Sequence, residues 1–207
     1  MRVIGRHVIH KKICRDSSMD WARELFYDLD DGTVLLADEY KVARGREGRE
    51  WRLYKGQLIV TFVLKPKLSS ERDADRSLKY LNMAITVGIY DVLREYGVRI
   101  KEPNDFMLDI KKVGGVLIEV VWLGGVVQGV IVGVAINCNN KFDKSDDLYD
   151  IATSLSMSLK RDVSMDLLQK NLFISVDKWY NLWISGECEE IFSAWNIGQR
   201  AVCHCLF

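Results

Sequence analysis

The sequence predicts an α+β domain, in which strands and helices are mixed along the chain. Three observations support this prediction. The 207 residues are 48% hydrophobic and 28% charged, as in ordinary folded chains. Apolar runs of strand length stand at residues 57–64, 113–122 and 126–137, whereas apolar residues recur at helical spacing over residues 77–96 and 164–183. A chain of this length usually forms one large domain and buries roughly 70% of its unfolded surface.

The first part of the chain alternates helix, strand, basic loop and strand. Asp16 and the two serines after it are typical N-cap residues, so we expect a helix over residues 19–29. Residues 34–37 form a short apolar strand. Residues 41–55 hold six Lys+Arg against two Glu and form a basic loop. The β-branched and aromatic residues at 57–64 predict a strand.

The second part is built around a pair of strands. The predicted elements are a helix over 77–96 with Gly97 as its C-cap, a strand-like stretch at 98–100, strands 113–122 and 126–137 joined by a tight turn at 123–125, an acidic loop at 143–150, and helices near 164–183 and 187–195. Residues 120–136 carry no charge. They fall short of the ~20 apolar residues that a membrane-spanning helix needs, and Gln128 interrupts them, so we expect buried strands and no membrane association.

Charge and cysteine content narrow the class of protein. The formal net charge is zero, since 29 Lys+Arg balance 29 Asp+Glu, which argues against a dedicated nucleic-acid binder. The five cysteines are odd in number and widely scattered, which favours a reducing, cytoplasmic location over a disulfide framework. The first residues lack the apolar segment of a signal peptide. Cys203-His204-Cys205 has no second ligand pair nearby, so we expect no metal site.

Four segments carry side chains suited to ligand chemistry, and each has a plainer alternative. Three arginines among glycines, Arg44, Arg46 and Arg49, can gather phosphate oxygens, with Trp51 available to stack on a base; a charge run alone is more often a solvated loop. Lys112 stands at the mouth of a strand opened by two glycines, and can reach a carboxylate or phosphate; a simple turn is equally compatible. The other two are Pro103-Asn104-Asp105, which alone indicates an Asx turn, and the strand end at Asn137, whose amide can merely cap the strand.

Taken together, and in the order in which they follow one another along the chain, these segments resemble the catalytic domain of biotin protein ligases over about residues 10–160. Asp16-Ser17-Ser18 is similar to the family's D-S-T, and Arg44-Gly45-Arg46-Glu47-Gly48-Arg49-Glu50-Trp51, after Ala37-Asp38, is similar to G-R-G-R-x-G-R-x-W. Further along, Lys101-Glu102-Pro103-Asn104-Asp105 is similar to K-W-P-N-D, Lys112-Val113-Gly114-Gly115-Val116-Leu117-Ile118-Glu119 to K-I-G-G-I-L-x-E, Gly133-Val134-Ala135-Ile136-Asn137 to G-I-G-I-N, and Ala152-Thr153-Ser154-Leu155 to A-T-S-L.

The resemblance implies a fold of the class II aminoacyl-tRNA synthetase and biotin synthetase type, with a mixed, largely antiparallel sheet flanked by helices. It implies an ATP- and Mg²⁺-dependent, AMP-forming ligase, in which biotin is activated to biotinyl-5′-AMP and then transferred to a lysine of a biotin carboxyl carrier domain. The implied catalytic residues are Lys112, Arg44 and Asp105. Biotin-binding residues would be Ser17, Ser18, Met19, Tyr40, Arg44, Gly45, Arg46, Lys112, Gly114 and Gly115. ATP-binding residues would be Arg46, Arg49, Trp51, Asn104 and Asn137, the last together with Mg²⁺.

Several positions depart from the family pattern. Tyr40-Lys41 stands where the family has Gln-Thr, Met19 replaces an Asn, Ala43 and Ala135 replace glycines, and Glu102 replaces an aromatic residue. In the family the Gln and the Ser-Thr pair bind the ureido ring, so we expect a modified pocket in which Tyr40 donates one hydrogen bond. The same fold also serves lipoate and octanoate transferases, and a degenerate, non-catalytic cofactor-binding homologue is a second alternative.

The resemblance also predicts the domain organisation. Residues 1–195 would form the catalytic domain, and residues 196–207 a truncated remnant strand of the family's C-terminal β-barrel. The stretch before Asp16 is too short for the family's DNA-binding domain, so we expect no nucleic-acid partner. The expected partner is the carrier domain of a biotin-dependent carboxylase, and the expected state is a monomer or homodimer.

Overall fold

A seven-stranded sheet forms the centre of the molecule in the computed structural model, which describes residues 2–67 and 71–200. The strands are β1 (Val8–Cys14), β2 (Thr33–Tyr40), β3 (Gln57–Leu64), β4 (Arg99–Lys101), β5 (Asp105–Leu108), β6 (Lys111–Leu123) and β7 (Val126–Asn137). The helices are α1 (Ser18–Glu24), α2 (Glu71–Leu93), α3 (Leu155–Leu159), α4 (Met165–Ile184) and α5 (Cys188–Arg200).

The strand order is β1-β2-β3-β7-β6-β5-β4, and among the strands of the described residues only β1 and β2 pair in parallel. The predicted mixed, largely antiparallel sheet is therefore confirmed. The predicted hairpin is confirmed as well, since β6 and β7 pair from Gly114–Ile136 to Leu123–Val126 and turn at Gly124 and Gly125, both at positive φ. Glycine is needed there because a side chain is strained in that conformation.

Successive side chains of β3 and β7 point to opposite faces of the sheet and so contribute to two separate cores. Val60 and Val132 face a large core formed with α2, α4 and α5, whereas Val63 and Ile131 face a smaller core formed with α1. Side chains two residues apart in a strand share a face, which explains why one sheet supports helices on one side and leaves room for a ligand site beside α1 on the other.

Some boundaries differ from the sequence expectation. The first helix ends at Glu24 and continues as a separate 3₁₀ turn, Phe26–Asp28. The α2 helix begins at Glu71, before the predicted start. The strand β1 carries no apolar alternation because it is a mostly exposed edge strand, and β5 has only four residues. Both therefore lack a clear sequence signal.

The expected remnant strand at the C-terminal end is wrong for residues 196–200. They continue α5, whose buried Ile191, Trp195 and Gly198 recur at helical spacing. Gly198 lets the helix approach the sheet, because a Cβ there would stand 2.6 Å from Ile100 Cδ1. Residues 201–207, including Cys203 and Cys205, lie outside the described residues.

Candidate functional site

A cavity lies on the α1 side of the sheet, where α1, β5, β6, β7 and the loop of residues 43–51 meet. We call this loop the flap. The cavity is lined by Ser17, Ser18, Met19, Ala43, Arg44, Gly45, Arg46, Arg49, Glu50, Trp51, Ile59, Asp105, Lys112, Gly115, Val116, Leu117, Gly133, Val134 and Ala135. We call it the first cavity. The segments that the sequence singled out separately are thus brought together by the fold.

A β-bulge places Lys112 in the first cavity. In the pairing of β5 with β6, Met107 lies opposite Lys112 but Phe106 lies opposite Gly114, so Val113 is an extra residue. Residues three apart would otherwise point to opposite faces, yet Lys112 and Gly115 both line the cavity while Val113 is buried in the large core. The bulge therefore directs the side chain of Lys112 toward the first cavity instead of toward the large core.

The ammonium group of Lys112 is paired with a carboxylate. Its Nζ lies 2.7 Å from Asp105 Oδ1 and 5.5 Å from the centre of the Trp51 ring. The pair lies close against Gly115, since a Cβ there would stand 3.3 Å from Asp105 Oδ1 and 3.4 Å from Lys112 Cε. The absence of a side chain at Gly115 therefore allows the ion pair to line the wall of the first cavity.

Two buried hydroxyls line the first cavity at the start of α1. Ser17 caps the helix, and its Oγ accepts a hydrogen bond from Met19 N at 3.3 Å. Ser18 Oγ accepts one from Thr61 Oγ1 at 2.7 Å. Met19 lies over Gly133, where a Cβ would stand 2.7 Å from Met19 Sδ. This end of the cavity therefore combines hydroxyl groups with an apolar surface.

The flap is closed on itself by backbone hydrogen bonds. Gly45 N donates to Arg49 O at 2.7 Å and Trp51 N donates to Ala43 O at 3.0 Å. The turn between them places Glu47 and Gly48 at positive φ. The flap thereby carries Arg46 and Arg49 to the wall of the first cavity.

Arg44 anchors the flap to the domain. Its Nη1 contacts Asp20 Oδ1 at 2.5 Å and its Nη2 contacts Glu119 Oε2 at 2.9 Å; Glu119 also binds Arg23 at 2.7 Å. The positive charges of Arg23 and Arg44 are balanced in this cluster by the negative charges of two carboxylates. Within the flap, Arg49 Nη2 is paired with Glu47 Oε2 at 2.8 Å. Of the three flap arginines, only Arg46 has no carboxylate partner among the described residues, and Arg44 anchors the flap through its two ion pairs.

We expect the double variant D20N/E119Q to loosen the flap. Partly exposed ion pairs are each worth roughly 0.2–1 kcal/mol, so losing the two that hold Arg44 should accelerate cleavage by trypsin after Arg46 and Arg49 roughly two- to thirtyfold. Limited proteolysis of the free protein, followed by mass spectrometry, measures this rate. The matched control is E24Q, an exposed acid at the end of α1; equal cleavage of all three proteins would contradict the anchoring role.

A second cavity adjoins the first across Arg49, Glu50, Trp51 and Lys112. Its other lining residues are Arg52, Tyr54, Gln57, Asn137, Phe142, Leu148, Ile151 and Ala152. Asn137 is held at the strand end, because its Oδ1 accepts from Gln57 Nε2 at 2.9 Å and its Nδ2 donates to the Thr153 carbonyl at 3.0 Å. The mixture of aromatic, aliphatic and amide groups suits a flat heteroaromatic ligand.

Ionic contacts between two loops border the second cavity. Arg52 binds Asp147 at 2.8 Å and Asp146 at 3.4 Å, and the Tyr54 hydroxyl donates to Asp146 Oδ2 at 2.5 Å. The hydrogen bond from Tyr54, with another from Leu148 N, lowers the pKa of Asp146 below its usual value. These contacts tie the segment after the flap to residues 143–150.

Three predicted site residues line neither cavity. The hydroxyl of Tyr40 accepts from Ala37 N at 2.8 Å and donates to the Ile59 carbonyl at 3.0 Å, so it bridges β2 and β3 where their pairing has ended. Gly114 lies against β7, since a Cβ there would stand 2.9 Å from Ala135 O. Asn104 Nδ2 donates to the Val116 carbonyl. The structure therefore gives these three residues roles inside the protein.

The other predicted site residues line one or both cavities. Sequence reasoning missed Asp20, Glu119 and Thr61. Only Glu119 carried a signal, because it is the one charged residue in the stretch 113–123 of β6. Within the described residues, no group of three or more His, Cys, Asp or Glu side chains is arranged to hold a metal ion. None of the helices described is both long enough and apolar enough to cross a membrane.

The chain belongs to the Biotin/lipoate A/B protein ligase family, whose profile matches residues 13–137. Within that family its similarities are to biotin protein ligases.

Relatives and solved structures agree with this assignment. The bifunctional ligase/repressor BirA of Bacillus subtilis is 30% identical over 183 residues, which cover 86% of this chain and 55% of the relative. The biotin–[acetyl-CoA-carboxylase] ligase of Paracoccus denitrificans is 34% identical over 127 residues, or 59% of this chain and 51% of the relative. The biotin protein ligase of Aquifex aeolicus in complex with biotin and ATP superposes with a TM-score of 0.74 at 26% identity, covering 89% of this chain and 75% of that one. The chain spans about half the length of these curated relatives.

Proposed function

We propose that this protein is a biotin protein ligase, which activates biotin with ATP to biotinyl-5′-AMP and transfers biotin to a lysine of a biotin carboxyl carrier domain. The observation that carries the proposal is the position of Lys112, which lines both cavities. Biotin would occupy the first cavity with its ureido ring against Ser17 and Ser18. The nucleotide would occupy the second cavity, with adenine near Trp51 and Asn137.

The first step joins two anions. A biotin carboxylate oxygen attacks the α-phosphorus of ATP, a new P–O bond forms, and pyrophosphate leaves with the bonding electrons. Lys112 offsets the repulsion between carboxylate and phosphate by standing between them, and Asp105 holds its ammonium group in place. Arg46 and Arg49, together with the anchored Arg44, stabilise the charge that develops on the phosphates.

The second step transfers the acyl group. The uncharged amine of the acceptor lysine attacks the acyl carbon of biotinyl-5′-AMP, an amide bond forms, and AMP leaves. Asp105 lines the first cavity beside Lys112, where it is placed to orient the amine or accept its proton. Asn137 supports the nucleotide site through its bonds to Gln57 and Thr153.

Magnesium enters this proposal only as the companion of ATP. ATP-bound Mg²⁺ keeps several waters and needs few protein ligands. Asn137 Oδ1 accepts one bond from Gln57 and keeps one lone pair, so it could supply a single ligand, whereas the described residues offer no group of three or more metal-ligating side chains that would hold the ion by themselves. A cytoplasmic location is also proposed, on the strength of the free thiols Cys14, Cys138 and Cys188.

A lipoate- or octanoate-transferring enzyme is the alternative within the family. The hydroxyls of Ser17 and Ser18 favour biotin, because a ureido carbonyl can accept their hydrogen bonds whereas the end of a fatty acyl chain cannot. We expect isothermal titration calorimetry to detect binding of biotin, and tighter binding once a non-hydrolysable ATP analogue is present. A heat of binding with lipoic acid, and none with biotin, would instead favour a lipoate- or octanoate-transferring enzyme.

A further inference from the structure

Thr61 lies behind the hydroxyl end of the first cavity. It is fully buried in the middle of β3, paired with Leu35 on one side and Gly133 on the other. It does not line the cavity, but its hydroxyl donates to Ser18 Oγ, which does. A β-branched side chain in a central strand has little freedom at χ1, so this donor is fixed in direction.

The hydrogen bonds around the two serines determine what each hydroxyl can offer. A hydroxyl has one hydrogen to donate and two lone pairs to accept. Ser17 Oγ accepts from Met19 N, and Ser18 Oγ accepts from Thr61. Each serine oxygen therefore already accepts a bond from the protein, while its own hydrogen remains available for a ligand in the cavity.

We propose that Thr61 is a positioning residue that makes Ser18 a hydrogen-bond donor toward the first cavity, so that the site selects acids whose far end presents a carbonyl oxygen. This inference rests on the proposed function, because it concerns the same cavity. A carbonyl oxygen has two lone pairs and can accept from both serines. An acid ending in a hydrocarbon or a dithiolane leaves both buried donors without partners, which is unfavourable.

The Thr61→Val variant tests this assignment, since it keeps the shape of the side chain and removes the hydroxyl. We expect the dissociation constant for biotin, measured by calorimetry, to rise about three- to tenfold, the usual range for one hydrogen bond. The dissociation constant for an ATP analogue should stay unchanged, because Thr61 lies away from the second cavity. Thr61→Ser is the matched control and should keep most of the wild-type biotin affinity, because it retains the hydroxyl donor although serine is freer than threonine at χ1. A role of the methyl group alone would give the opposite pattern, since Thr61→Val keeps a methyl group at that position and Thr61→Ser loses it.

A double-mutant cycle shows whether the effect passes through Ser18. In the Ser18→Ala background the bond is already lost, so Thr61→Val should weaken biotin binding no further. Thermal melting checks that each variant folds. If Thr61→Val does not fold, Thr61→Ala takes its place, because its comparison with Thr61→Ser isolates the same hydroxyl; equal biotin affinity of these two variants would overturn the role of Thr61.

The outcomes separate the two proposals. The role of Thr61 is overturned if the wild-type protein binds biotin and the Thr61→Val variant binds it equally well. It is also overturned if Thr61→Val weakens biotin binding by the same factor in the wild-type and the Ser18→Ala backgrounds. In both cases the ligase proposal is untouched. If wild type binds no biotin, the proposed function fails and the role of Thr61 fails with it.

Discussion

Replacing Lys112 by alanine should abolish adenylate formation. Lys112 Nζ lies at the junction of both cavities, so its loss removes the cation that brings a carboxylate and a phosphate together and leaves the Asp105 carboxylate unpaired beside them. Loss of one preorganised electrostatic contact typically slows a reaction by about 10²- to 10³-fold, and the added repulsion from Asp105 should bring K112A to the upper end of that range or beyond. Biotin-dependent release of pyrophosphate from ATP measures the step.

Two further lysine variants sharpen this test. Lys112→Arg keeps the charge but changes its shape, so partial activity would show that charge alone carries part of the effect. Lys170→Ala, at an exposed position on α4, is the matched control for losing one lysine and should behave as wild type. Pyrophosphate release by K112A at the wild-type rate would contradict the role assigned to Lys112.

Filling the space at Gly115 should block the first cavity. A Cβ at this position would lie 3.3 Å from Asp105 Oδ1 and 3.5 Å from Lys112 Nζ, and the two methyl groups of valine would extend into the volume next to the ion pair. The backbone of β6 tolerates valine because the position lies in regular strand, where β-branched residues are favoured. We therefore expect Gly115→Val to fold normally and to weaken biotin binding roughly 10- to 100-fold, since over-filling a packed site typically costs about 1–3 kcal/mol.

A graded series supplies the control for this prediction. Gly115→Ala adds only the Cβ, whose neighbours are the flexible ends of two side chains, so its affinity should fall between wild type and Gly115→Val. Binding is measured by calorimetry, and folding by circular dichroism and thermal melting. Unimpaired biotin binding by a folded Gly115→Val protein would place the acid outside the first cavity.

Much of the fold follows from local patterns. The long strands and helices bury one face each, so their apolar spacing appears directly in the sequence, and the β6–β7 hairpin is marked by its glycines. The edge strand β1 is different. Its position depends on parallel pairing with β2, a contact between distant parts of the chain that leaves little trace in the composition of either strand.

In the candidate site, too, the features that depend on contacts between distant residues were not predictable from local sequence patterns. Motif order identified the flap and Lys112, but only the pairing of β5 with β6 reveals the bulge that turns Lys112 toward the cavity. Tyr40 was expected to bind the ligand from its alignment with a family position, and the structure instead commits its hydroxyl to Ala37 and Ile59. Asp20 and Glu119 lie 99 residues apart in sequence and are joined through Arg44, so their connection required the three-dimensional fold.

Transfer of labelled biotin to a carrier protein tests the central claim most directly. The intact protein is incubated with biotin, ATP, Mg²⁺ and a purified biotin carboxyl carrier domain, and the label is located by mass spectrometry. We expect one biotin on the acceptor lysine of the carrier, none when ATP is omitted, and none with the Lys112→Ala protein. Binding of biotin and ATP without any label on the carrier would contradict a ligase and identify a non-catalytic homologue that retains the pocket.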